Sequence, residues 1–377
     1  MVCIKMYDNI PKTLSFLAGI RCYNKIWCSN LNFNGLFTID EVSGKIEYIG
    51  RFPNHRENAV GLHNIVMFYD NKLFFFSNYS ETIDVYDMSG EFYSCDIEAW
   101  KEIKKNTLAT CVAGAHLWKE TLYIFPRSLG KDVILYSPEM NIIIGKIELK
   151  LANAVRGDKY SILPGYNTIK VGNFVYIPIF KSNKVIRFDL ASASEELIEF
   201  DSNMIFAGAV NYDGHSIWAA VNDGIVEFDN DFQEILEFHS CRIAGTESNI
   251  TTIAFARNKV IALPARFGDI IIIDKQNKVV TNLKVDMSDM ELMSGPVSKW
   301  RNTGDIIVND NYVFINPINM NKMMVMDLIN TNICNWDVSV PSISFPHKKY
   351  EKTVNYEVSA DELEKYLYYI LNKENGG

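Results

Sequence analysis

The sequence predicts an all-β chain made of one unit repeated seven times. Two observations carry that expectation. A short hydrophobic strand recurs at near-even spacing through most of the 377 residues. A second strand, usually closed by Asp, follows each copy at an almost constant distance.

The first strand reads Asn24-KIWCS, Asn71-KLFFFS, Glu120-TLYIFP, Gly172-NFVYIP, Gly214-HSIWAA, Asn258-KVIALP and Asn311-YVFINP. Its equivalent core residues are Ile26, Leu73, Leu122, Val175, Ile217, Val260 and Val313, so successive copies stand 42 to 53 residues apart. The second strand ends at Asp40, Asp87, Ser137, Asp189, Asp229, Asp274 and Asp327, which lie 12 to 15 residues beyond those anchors. An Asp there ends a strand and opens a tight turn, because its carboxylate accepts backbone N–H groups two residues on. The recurrence therefore reads as turn geometry and not as metal binding. Turn-forming residues do follow, as in EVSGK and KQNK, and then a further alternating strand, as in Lys45-IEYIGRF and Glu234-ILEFH. Before each anchor comes a strand of small and β-branched residues, such as Asn249-ITTIAFA, suited to the place where sheets converge on a narrow axis.

Each repeat is thus four short strands, the plan of a propeller blade. The expected fold is a seven-bladed β-propeller of four-stranded antiparallel blades with a short C-terminal α-helix. The blades are placed at about 16–53, 59–99, 107–149, 160–201, 204–240, 249–286 and 301–340, within a propeller domain of 1–341. One blade cannot bury both faces of its sheet, so neighbours must stack. The last repeat supplies all four of its own strands, which leaves residues 2–7 or 352–358 to seal the ring as an edge strand. In the 342–377 extension, Ser359-Ala-Asp-Glu362 fits a capping box. Leu363, Tyr366, Leu367, Ile370 and Leu371 then form one stripe of a helix over about 360–372. That helix packs back on the disc or docks a second protomer.

This repeat logic resembles the β-propeller superfamily, kelch-like or quinoprotein-like in blade plan, over roughly nine-tenths of the chain. The Gly-Gly pair usual in kelch repeats is missing, and the Trp-Asp strand end of WD40 repeats occurs once, at Trp336-Asp337. The resemblance implies a fold and carries no activity to particular residues.

Composition narrows the function. The chain is 48% apolar and 12% aromatic, ample for a large core. Its formal net charge of -9 argues against a nucleic-acid partner, which selects a basic surface. MVCIKMYDNIPKTLSF has no long apolar core or cleavage pattern, and apolar runs such as IIII at 270–273 are too short to span a bilayer. The expectation is a cytoplasmic protein with no membrane partner. Seven cysteines, with no CxxC pair, read as thiols in a reducing compartment; no Cys/His cluster marks a metal, and no cofactor is implied.

In a propeller, loops from second to third strands leave the disc on the same face as the connections between blades. Here those segments gather cations in an acidic protein. Arg127, Lys181 and Arg266 lie in the loops, some stiffened by Pro126, Pro178 and Pro264. The connections add His55, Arg56 and Glu57, and then Trp300 and Arg301. Arginine forks suit carboxylates and phosphates, and an Arg beside Trp suits a ring or sugar. The ligand-binding candidates are therefore Arg56, Glu57, Arg127, Lys181, Arg266, Trp300 and Arg301. His55, beside Arg56 and Glu57, is the acid–base candidate. No HExxH, GxSxG or P-loop motif occurs. The expected function is a non-enzymatic binding or scaffolding propeller facing a partner protein or a small anionic, sugar or peptide ligand. The alternative is a lyase, isomerase or hydrolase acting on a sugar or peptide.

Overall fold

Hairpin chemistry sets the strand lengths. Tyr23-Asn24, Asp70-Asn71 and Lys119-Glu120 each have positive φ at two successive residues, which is the two-residue hairpin turn whose twist matches the flanking strands. The computed structural model describes residues 14–56, 59, 61–77, 82–98, 112–126, 132–151, 167–179, 182–222, 224–240, 250–264, 269–286, 303–318 and 320–340. The C-terminal helix expected at 360–372 lies outside them, as do the proposed sealing segments 2–7 and 352–358.

The strands form seven four-stranded antiparallel sheets, each ordered as its strands follow in the chain. Contacts divide the molecule into two units. The first comprises Met1–Ser94, Met287–Ile307 and Tyr312–Gly377. It holds blade 1, with β1 Gly19–Cys22, β2 Lys25–Ser29, β3 Leu36–Asp40 and β4 Ile46–Gly50. It also holds blade 2, with β5 His63–Tyr69, β6 Lys72–Ser77, β7 Thr82–Asp87 and the start of β8 Phe92–Asp96.

The second unit comprises Cys95–Asp286 and Val308–Asn311. Its blade 3 has β9 Val112–Trp118, β10 Thr121–Pro126, β11 Val133–Ser137 and β12 Ile142–Ile147. Blade 4 has β13 Ile169–Val171, β14 Phe174–Pro178, β15 Lys184–Asp189 and β16 Glu195–Glu199. Blade 5 has β17 Phe206–Tyr212, β18 Ile217–Val221, β19 Gly224–Phe228 and β20 Ile235–Ser240. Blade 6 has β21 Ile250–Ala256, β22 Lys259–Pro264, β23 Ile270–Asp274 and β24 Val280–Leu283. Blade 7, with β25 Thr303–Val308, β26 Tyr312–Pro317, β27 Lys322–Asp327 and β28 Ile333–Asp337, belongs mainly to the first unit.

The recurrent Asp acts as its position predicts. Asp40 Oδ1 accepts the N–H groups of Val42 and Ser43 at 3.2 and 2.8 Å, and Asp274 Oδ1 those of Gln276 and Asn277 at 2.9 Å. Asp327 Oδ1 takes Ile329 and Asn330 in the same way. The exception keeps the geometry with a hydroxyl, since Ser137 Oγ accepts the Met140 N–H at 3.2 Å. The Ser43 and Asn277 N–H groups hold Asp40 and Asp274 below the ordinary carboxylate range.

The cores lie between blades. In the first unit, Trp27 and Leu36 of blade 1 meet Leu73, Phe75 and Tyr86 of blade 2 around Phe52. On its other side, blade 1 offers Ile26, Cys28 and Phe37 to Phe314, Met323 and Val325 of blade 7. In the second unit, blades 4 and 5 meet through Tyr176, Val185, Ile217 and Phe228, and blades 5 and 6 through Trp218, Ile225, Ile271 and Ile273.

Residues 14–17 bind blade 7 to blade 1. Leu14 N donates to Val338 O, Asp305 N to Leu17 O and Leu31 N to Ser15 O, at 2.6 to 2.8 Å. Ser15 Oγ bonds the Ile318 carbonyl, and Leu14 and Phe16 are fully buried. Among the described residues, no helix is long and apolar enough to cross a membrane.

Candidate functional site

One position separates blade 2 from the other six. Three residues before the turn at the end of the third strand stand Phe37, Ile134, Ile186, Val226, Ile271 and Met324, all at most 2% exposed. In blade 2 that place belongs to Asp84, which is 0% exposed. A carboxylate in a hydrophobe's place loses its hydration, and burial alone would raise its pKa.

The chain surrounds Asp84 with donors. His55, from the connection between β4 and β5, places Nε2 2.8 Å from Asp84 Oδ2. His63, the first residue of β5, places its own Nε2 2.8 Å from the same oxygen. Thr82 Oγ1 donates to Oδ2 at 3.1 Å and lies 3.3 Å from His55 Nε2. Ser94 Oγ bonds Oδ1 and lies 3.2 Å from the Pro53 carbonyl. The relay continues into blade 1, because Ser29 Oγ lies 2.7 Å from His63 Nδ1. Both imidazoles are only 2% exposed at the side chain.

These contacts set the charge. Burial pushes Asp84 up, but the charges and hydrogen bonds of His55 and His63 outweigh it and hold the carboxyl well below its usual range. Burial pushes His63 down against the opposing pull of Asp84, so the neutral ring is favoured. Phe52 and Phe75 close over His63, with ring centroids 4.6 and 5.4 Å away. Asn34, 1% exposed, clasps the connection from blade 1: its Nδ2 donates to the Phe52 and His55 carbonyls, and its Oδ1 accepts the Phe52 N–H. Arg56, next along, is exposed.

His55 therefore sits at the predicted connection, but its ring points inward to a carboxylate. Arg56 is the sequence-derived binding candidate that the described residues include. Glu57, Arg127, Lys181, Arg266, Trp300 and Arg301 lie outside them, although β10 ends at Pro126 and β22 at Pro264, immediately before two of those loops. Ser29, His63, Thr82, Asp84 and Ser94 escaped the sequence reading. The available signal was Asp84, the one charged residue in a column that is otherwise apolar.

Blades 5 and 6 share a second polar group. Lys278 Nζ lies 2.9 Å from both Glu227 and Glu237, beside His239, whose ring stacks on Trp218. The lysine, from the turn between β23 and β24, supplies the charge that those two carboxylates need, so this group reads as an ion-pair network between blades 5 and 6.

No protein-family model matches the chain, and no curated protein matches it. Solved structures do. A streptogramin B lyase superposes with a TM-score of 0.59 at 13% identity, over 82% of this chain and 93% of that one. Catalytically inactive virginiamycin B lyase from Staphylococcus aureus with quinupristin gives 0.59 at 12%, over 85% and 97%. The Swd1 β-propeller domain from Myceliophteria thermophila gives 0.53 at 10%, over 86% and 97%. At such identities the likeness is one of fold: this chain is a seven-bladed β-propeller of four-stranded antiparallel blades.

Proposed function

We propose that this protein is a non-enzymatic binding propeller. It presents the connection between blades 1 and 2 to the anionic group of a small ligand or of a partner protein, with Arg56 as the contact. The observation that carries the reading is the brace behind that connection. Asn34 grips its backbone at Phe52 and His55, and Asp84 holds the His55 ring. An arginine that follows a backbone already held at Phe52 and His55 loses less freedom on binding, and its fork matches carboxylate and phosphate oxygens. The buried state of the His55–His63–Asp84 cluster also favours binding over turnover, because a reacting group must reach its substrate.

The test is a binding screen against citrate, a sugar phosphate, a nucleotide and an acidic peptide, with wild type beside Arg56→Ala, Arg127→Ala and Arg266→Ala. The proposal expects at least one probe whose affinity falls about tenfold in Arg56→Ala, the loss of one charge-assisted bond pair. Probes that bind all four proteins equally would refute it.

The enzyme reading draws support from the Ser29–His63–Asp84 order, a hydroxyl, an imidazole and a carboxylate in line. Turnover of a sugar or peptide that His63→Gln abolishes would select it.

A further inference from the structure

We propose that His55, His63 and Asp84, joined by Thr82, hold one first-row divalent transition-metal ion. Three potential ligand atoms on separate parts of the chain come within 4.8 Å of one another. Both imidazoles place Nε2 2.8 Å from the same Asp84 oxygen, with their ring planes 89° apart. This suits a coordination polyhedron better than a stack. Thr82 Oγ1 is a fourth donor atom at that point, within 3.1 to 3.3 Å of two of the others.

The atoms turned away from the point are anchored. Ser29 Oγ engages His63 Nδ1, and Ser94 engages Asp84 Oδ1. A partner on the far nitrogen fixes which tautomer faces the ion, and such outer contacts normally support metal-binding histidines. In the tautomer that donates Nδ1–H to Ser29 Oγ, the Nε2 lone pair of His63 is turned inward. The core position occupied by Asp84 points the same way: an ion gives a buried carboxylate its counter-charge where the other blades hold a hydrophobe.

The fit needs a small expansion. Tetrahedral bonds of about 2.0–2.1 Å place ligand atoms roughly 3.3 Å apart. Each 2.8 Å Nε2–Oδ2 pair would therefore open by about half an ångström, within reach of side-chain rotation. Two imidazoles, a carboxylate and a hydroxyl suit Zn²⁺, Co²⁺ or Fe²⁺. The four protein donors and the covering rings of Phe52 and Phe75 make the ion structural, tying the connection to blade 2 and, through Ser29, to blade 1.

The rival arrangement needs no ion: two Nε2–H groups simply donate to Asp84. The full-length protein, stripped with chelator and dialysed, separates the two. Calorimetric titration with Zn²⁺ should show one equivalent bound and a higher Tm. Co²⁺ should give the intense visible absorption of a four-coordinate site. Asp84→Asn and His63→Gln should abolish binding, and the milder Ser29→Ala should weaken it about ten- to a hundredfold. Stripped wild type that takes up no stoichiometric Zn²⁺, a weak six-coordinate Co²⁺ spectrum, or unchanged affinity in Ser29→Ala would overturn the site. None of these readings depends on Arg56, so the two proposals fail independently.

Discussion

Histidine 116 shows how a single ring reports on the fold. It lies on the inner strand β9, with Nε2 2.8 Å from Thr168 Oγ1 at the edge of blade 4. Burial, helped by the charge of Lys170, pushes its pKa down to about 3. The unfolded chain therefore takes up a proton near pH 6.5 that the folded chain refuses. The stabilising contribution is complete above that pH and is lost as pH falls toward 3. Part of the residue remains accessible, so the desolvation is less than complete and the effect is discounted. We expect His116 to contribute about 1 kcal/mol to the loss of stability between pH 7 and pH 5 in urea denaturation, a share of the slope that His116→Gln removes. A slope that the variant leaves intact would assign the proton to another group. At this scale the sequence was only partly legible. The six turn aspartates could be read because their partners lie two to five residues away. Thr82 apart, the groups bonded to Asp84 come from positions 10 to 29 residues distant, and only the fold brings them together.

Inner strands must approach closely, and the small residues before each anchor permit it. A Cβ added at Gly208 on β17 would lie 1.9 Å from the Ile250 carbonyl oxygen of β21, a backbone atom with no rotamer to move. At Gly145 on β12 the nearest atom is 3.3 Å away, on the flexible side chain of Leu135. Gly208→Ala should therefore cost about 3 kcal/mol, and Gly145→Ala should stay within about 1 kcal/mol of wild type. Chemical denaturation of the two variants checks the contrast, and equal losses would contradict it. Asparagines finish the joint within the second unit. Asn211 Nδ2 donates to the Ile253 carbonyl at 2.7 Å, and Asn167 Oδ1 accepts the Val210 N–H at 3.0 Å. Elements were the most legible level, because hydrophobic alternation and turn residues are local signals. The seven anchor strands became β2, β6, β10, β14, β18, β22 and β26.

For the whole molecule, the number of blades followed from counting repeats, whereas the contacts of residues 14–17 had no signal in the sequence. Residues 14–17 have no strand signature of their own; their hydrogen bonds go to Leu31, Asp305 and Val338, far away in the chain. The buried ring of Phe16 should nevertheless carry stability out of proportion to its segment. Phe16→Ala should cost about 3–5 kcal/mol, read from the denaturation midpoint; a loss below about 1 kcal/mol would show that the seam is dispensable. The functional account rests on the braced connection that bears Arg56. Its most direct test is the dissociation constant of the best anionic probe, measured by calorimetry for wild type and Arg56→Ala at matched ionic strength and equal Tm. The account predicts affinity about tenfold weaker in the variant, with the difference shrinking as salt is added. Equal dissociation constants at low salt would contradict it.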